Sequence, residues 1–164
     1  MKVYFAADHA GFAMKNMLLN FVRGEMHLEV EDCGAFELDT SDSYPGIIAC
    51  AARSLAQDIQ SGIESRAILL GASGQGEAMV ANRFKGVRAA VYYGEAHKEQ
   101  IDVGGQGLDI LTSSREHNDA NALSLGARFL SEGDAKTAVQ KWLSHGFSGD
   151  DRHAKRIRAI DSVA

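Results

Sequence analysis

The chain has 164 residues, 45% of them apolar and 24% charged, which suits one soluble domain with a sizeable core. Its formal net charge of −5 excludes the basic surface that nucleic-acid binding needs. The N-terminal apolar run stops at Asp8 and His9, too short for a signal peptide or a membrane span, so a cytoplasmic protein with no membrane partner is expected.

Short β-type runs then alternate with helical patterns. Residues 2–6 (KVYFA) read as a first strand, followed by a helix with Met14, Met17, Leu18, Phe21 and Val22 on one face. Residues 28–32 (LEVED) form a second strand. Cys33, just after it, and Cys50 have no motif spacing and read as reduced core thiols. Pro45, the single proline, suits the first turn of a helix bearing Ile48, Ala51, Ala52, Leu55 and Ile59. Residues 67–70 (AILL) give a buried third strand, 88–93 a fourth and 121–126 a fifth. A helix with Ala135, Ala138, Val139, Trp142 and Leu143 inward follows, and a basic helical tail runs from about 150. This alternation implies an α/β protein, a mostly parallel sheet covered by helices on both faces. Such sheets bind ligands at the carboxyl ends of their strands, so chemistry is expected there.

ADHAG follows the first strand. Asp8 either caps the next helix, with His9 packed beside it, or the pair contacts a ligand. GASGQGE follows the third strand and lacks the lysine and hydroxyl of a phosphate loop of the Walker type. Its glycines let backbone N–H groups converge on an anion at a helix N-terminus, and Ser73 adds a hydroxyl. Glu77 at the loop exit either complements the helix dipole or stands as a base beside an oxyanion site. Before the fifth strand, SREHNDAN sets His117, Asn118 and Asp119 side by side. Arg128 follows that strand, and Arg152 and Arg156 share one helical face by their i, i+4 spacing. These arginines are either a solvated basic face or forks for phosphate oxygens.

Taken in order, ADHAG, GxSGxGExxxANR, REHNDANxLSLGAR and the terminal RHxxR resemble the ribose-5-phosphate isomerase B family, which also contains galactose-6-phosphate isomerase subunits. The resemblance implies a three-layer α/β/α sandwich around a five-stranded parallel sheet (Rossmann-like), and one sugar-phosphate isomerase domain over 1–164. It also implies a homodimer, or a tetramer, with active sites at the subunit interface. One form of the family carries a cysteine base at the end of the third strand, where this chain has Gly71; the other uses a glutamate after the glycine loop, matched by Glu77.

By position, Asp8 and His9 would contact the sugar and His117 would assist ring opening. Ala72, Ser73, Gly74, Gln75 and Gly76 would hold the substrate oxygen, with Asn118 as a further polar contact. Arg128, Arg152 and Arg156 would engage the phosphate. The family needs no metal and no other cofactor. The implied reaction is aldose–ketose isomerisation of a phosphorylated sugar, ribose 5-phosphate to ribulose 5-phosphate, through an enediolate. A six-carbon sugar phosphate and a non-catalytic phosphometabolite-binding module are the alternatives. The dimer reading takes Glu77 and His117 both as strand carboxyl-end groups.

The chain departs from the family pattern twice. Ser43 stands where an acid often precedes the Tyr-Pro pair, here Tyr44 and Pro45, with Asp42 one position earlier. The stretch from Tyr93 to His117 is long, with an extra segment around 98–109 that includes Gly104, Gly105 and Gly107. That segment is expected to be a mobile lid, starting near Glu99, or a surface excursion.

Overall fold

A computed structural model describes every residue except His97, Glu99, Val103, Gly104, Gln106 and Ala164. Five strands, β1 (Lys2–Ala7), β2 (Glu29–Asp32), β3 (Ser65–Gly71), β4 (Ala89–Tyr92) and β5 (Ala122–Gly126), make one parallel sheet in the order β2-β1-β3-β5-β4. Among the described residues six helices accompany it: α1 (Phe12–Gly24), α2 (Tyr44–Gln60), α3 (Gln75–Ala81), α4 (Ile110–Glu116), α5 (Glu132–Ser144) and α6 (Asp151–Asp161).

Alternation along the strands sorts side chains into two cores. Val3, Phe5, Ala7, Ile68 and Leu70 meet Leu18 and Val22 of α1 and Val139 and Trp142 of α5 on one face. Tyr4, Ala6, Ala67 and Leu69 meet Ile48, Ala52 and Leu55 of α2 on the other. The sheet is therefore the middle of three layers. β3 is buried along its whole length, which is why AILL reads as a run and not as an alternation.

Pro45 sits in the first turn of α2, where its missing N–H costs nothing. Two expectations need correcting. The stretch from 93 to 117 ends in α4, started by Asp109, whose side chain accepts from the Thr112 N–H. Before it, Ile101 and Gly107 form an isolated antiparallel bridge; Glu99 and Gly104 of the extra segment lie outside the described residues. Cys33 is buried, but Cys50 is exposed on α2 and is no core thiol.

Strand order reverses between β1 and β3, which is where an open parallel sheet forms its ligand crevice, at the carboxyl ends. The start of α1 packs closely on the end of β3: a Cβ at Gly11 would lie 2.7 Å from the Leu70 Cβ.

Candidate active site

The crevice gathers Asp8, His9, the glycine loop, Glu77 and Arg128. Asp8 Oδ1 accepts from the Ala10 and Gly11 N–H groups at 3.0 and 3.3 Å, so the side chain does shape the turn into α1. His9 is held by Asp42: its Nδ1 lies 2.6 Å from Asp42 Oδ1, which also accepts from the His9 N–H at 3.2 Å. That hydrogen bond raises the His9 pKa above the usual histidine value, against partial desolvation and the nearby Arg128 charge. Asp42 Oδ2 is buried with no partner among the described residues.

The glycine loop is fixed by its neighbours. Gly74 has φ +73°, a conformation that favours glycine, and its carbonyl accepts from Ser124 Oγ at 2.6 Å. The Tyr44 ring lies 2.7 Å from where a Cβ on Gly76 would stand, so this face of α3 admits no side chain there. Ala72 O accepts from the Arg128 N–H at 3.2 Å, and Ser73 Oγ from the Gln75 N–H at 3.4 Å. The first-turn amides of α3 have no intrahelical carbonyl to bond, which leaves donors at the crevice.

Glu77 is 4% exposed, and burial raises its carboxyl pKa; its own N–H opposes the shift and the Asp8 charge adds to it. A Cβ at Gly71 would lie 1.9 Å from Glu77 Oε1. The glutamate fills the space that a side chain at the end of β3 would take.

A second group lies at the opposite edge of the sheet. His117 caps the C-terminus of α4, donating its N–H to Ser113 O at 2.9 Å. Its ring stacks on His153 of α6, centres 4.4 Å apart and planes within 4°. His153 Nε2 accepts from Arg152 Nη2 at 3.2 Å, and burial, then the neighbouring His117, lowers its pKa, so this ring is neutral. Arg152, Arg156 and Asn118 are exposed here, and the Asn118 carbonyl accepts from Arg88 Nε at 3.1 Å.

This placement corrects the reading of His117 as a strand carboxyl-end group. It precedes β5, and α4 carries the chain back from the carboxyl edge to the amino edge. The start of β5, Ala122, pairs with Ala67, four residues below Gly71. At ~3.3 Å per residue, Glu77 and His117 of one chain are thus more than about 13 Å apart along the strands.

Asp42 belongs to the site although no motif marked it; the one signal was an acid displaced by one position ahead of Tyr44-Pro45. Asp8, His9 and Asp42 also place one ligand-type atom each within 4.8 Å of one another, but His9 Nδ1 and Asp42 already satisfy each other. The carboxyl edge thus combines a buried, poorly solvated carboxylate with backbone donors. That pairing can remove a proton next to a carbonyl and hold the resulting oxyanion.

Residues 3–102 and 108–160 match the family model described as Ribose/Galactose Isomerase. The unmatched 103–107 falls inside the extra segment. The chain is 32% identical over 158 residues to ribose-5-phosphate isomerase B of Mycobacterium leprae, covering 96% of this chain and 86% of that one. It is 32% identical over 162 residues to ribose-5-phosphate isomerase B of Escherichia coli, covering 99% and 95%. Among solved structures, ribose-5-phosphate isomerase B from Mycoplasma genitalium with bound ribulose-5-phosphate matches with a TM-score of 0.84 at 26% identity, covering 99% and 95%. The Thermotoga maritima ribose 5-phosphate isomerase matches at 0.77 and 34%, covering 98% and 97%. Among the described residues, no helix is long and apolar enough to cross a membrane.

Proposed function

The chain belongs to the ribose/galactose isomerase family, and from that premise we propose that it interconverts ribose 5-phosphate and ribulose 5-phosphate. The observation that carries this reading is Glu77, buried against Gly71 at the exit of the glycine loop with its pKa raised. His117 protonates the ring oxygen as the C1–O bond of the furanose breaks, and the C1 hydroxyl gives its proton to water as the aldehyde forms. Glu77 then takes the C2 proton; the C–H electron pair forms the C1–C2 double bond, and the aldehyde oxygen becomes an oxyanion. Amides of residues 72–76 hold that oxygen. Glu77 returns its proton to C1, while the O2 proton passes to O1, leaving a ketone at C2.

Asp8 and His9 hold sugar hydroxyls, Asn118 adds a polar contact, and Arg128, Arg152 and Arg156 engage the phosphate. The whole of 1–164 serves as one isomerase domain, with the cytoplasmic location expected from its sequence. A positioned base contributes ~10²–10⁴-fold and one oxyanion donor ~10²–10³-fold.

The active unit in this reading is a homodimer. Its support is the placement of Glu77 and His117 at opposite sheet edges, since one chain cannot bring both to one sugar. A twofold axis that sets the carboxyl edge of one subunit against the amino edge of the other makes two equal sites. Refolding Glu77→Gln together with His117→Ala tests this. Each hybrid dimer would hold one intact and one doubly damaged site, so random pairing should restore roughly a quarter of wild-type activity. Hybrids that form without restoring activity would put both residues in separate roles. Solvent exchange of the ribose 5-phosphate C2 proton, measured beside a six-carbon sugar phosphate, tests the reaction and the substrate; no exchange with either leaves a binding module.

A further inference from the structure

Helix α6 is polar along most of its length, and among the described residues His153 is its one buried residue, 6% exposed. An aliphatic side chain would fill that place at a lower desolvation cost. An imidazole offers what an aliphatic group lacks, a flat face and a ring nitrogen that accepts, and both are in use. The face lies parallel to His117, centres 4.4 Å apart and planes within 4°. Nε2 accepts from Arg152 Nη2 at 3.2 Å, which puts the ring proton on Nδ1. A protonated His153 would turn an N–H towards that guanidinium and set a second cation beside it. Burial, and then the His117 charge, lower its pKa and keep the ring neutral.

The backbone on either side is fixed as well. Ser148, just ahead of α6, donates its N–H and its Oγ to Glu116 O at 3.2 and 2.7 Å. The entry to α6 is thereby tied to the residue before His117. Asp150 caps the helix, its Oδ1 accepting from the Arg152 N–H at 2.8 Å. The end of α4 and the start of α6 form one unit, and His153 joins them through side chains.

We propose that His153 is a positioning residue: its face sets the plane of the His117 ring, and its Nε2 sets the guanidinium of Arg152. This inference rests on the roles proposed above for those two groups. An imidazole on a freely turning side chain aims its nitrogen at a sugar ring oxygen only part of the time. An unrestrained guanidinium likewise meets a phosphate at many angles. Held against one ring, the acid and the anion fork keep a single spacing. A phosphate bound at Arg152 then brings the ring oxygen of its own sugar to His117.

Two substitutions take the two contacts apart. His153→Phe keeps a flat ring and loses the acceptor, whereas His153→Gln keeps an acceptor near the place of Nε2 and loses the face. Ribulose 5-phosphate supplies the control. Its C5 oxygen carries the phosphate and cannot close a ring onto C2, so solvent exchange of its C1 protons needs no ring opening. His153→Gln should lower kcat for ribose 5-phosphate at least about tenfold and leave that exchange within about twofold of wild type. His153→Phe should raise KM for both sugars about fivefold, with kcat within about twofold. Equal losses on both sugars in both variants would make His153 a packing residue and overturn the proposal, as would wild-type behaviour in both. Should a variant fail to fold, the imidazole ¹⁵N shifts of the unsubstituted chain decide: a proton on His153 Nδ1 supports the proposal and one on Nε2 overturns it. His117→Ala separates the two levels. If it turns over ribose 5-phosphate at the wild-type rate, the proposed reaction fails and takes this inference with it. If it stops turnover of ribose 5-phosphate while His153→Gln does not, the inference alone fails.

Discussion

At the carboxyl edge of the sheet Glu77 is buried and His9 is paired with Asp42, whereas at the amino edge Arg152 and Arg156 stand in solvent on α6. Glu77 has its pKa raised by burial and His9 by Asp42; both shifts depend on neighbours fixed by strands and short loops. The α6 arginines have only to remain charged and within reach of an anion. A group that must change its protonation state benefits from desolvation, and a group that must attract an anion does so while hydrated. The comparison sets groups tuned by their neighbours against arginines that keep their charge in water, and three measurements bear on it.

The largest effect belongs to the carboxyl edge. Glu77→Gln keeps the side-chain size and removes the proton acceptor, so kcat should fall at least about 10²-fold with sugar-phosphate binding retained. Stability should move the other way. A raised pKa means that the folded state favours the neutral carboxyl, so the wild type gains stability as pH falls through the window above the ordinary glutamate value. The glutamine variant should therefore melt higher than wild type at pH 7 and lose that pH dependence, as calorimetry can check. A variant that melts lower would remove burial as the cause of the shift.

The amino edge should respond through binding. Arg156→Ala should raise KM roughly tenfold, the scale of one charged hydrogen bond, with kcat changed by less than about threefold. Phosphate position is the same in substrate and transition state, so its loss is uniform. An unchanged KM for ribose 5-phosphate would break the division between the edges.

The smallest effect sharpens it. Asp42→Asn removes the carboxylate that raises the His9 pKa from the usual 6.5. His9 would then lose its proton at lower pH, and the alkaline rise in KM should move down with it. Activity should match wild type within about twofold below pH 6 and fall behind above about 6.5. The stability from this pair is complete below 6.5 and lost as pH rises through the raised value, so the variant should be less stable chiefly at acidic pH. Superimposable pH profiles would leave Asp42 a purely structural partner.

Much of this was legible in the residues. The apolar run of β3 and the i, i+3, i+4 faces of α1, α2 and α5 mark the layers, and Gly74 and Glu77 mark the loop. α4 was not legible, because ILTSSRE has two apolar residues and no periodicity. It is held from outside, by the Asp109 cap, the buried Leu111 and a hydrogen bond from Trp142 Nε1 to Ser114 Oγ at 3.0 Å. Missing α4 also hid the edge on which His117 lies. The pairing of His9 with Asp42 spans 33 residues, which no local pattern reports.

The contact between Gly71 and Glu77 reaches beyond this molecule. With 1.9 Å between a hypothetical Cβ at 71 and Glu77 Oε1, the two positions should change together. A lineage passing from a cysteine base at the end of β3 to a glutamate after the loop, one codon at a time, meets a chain with no base or a chain whose Glu77 carboxyl must swing away from the residue at 71. Each form of the family should therefore tend to keep its own residue at both positions across long divergence. Among relatives, a small residue at 71 with glutamate at 77, or a cysteine at 71 without it, should outnumber every mixed combination.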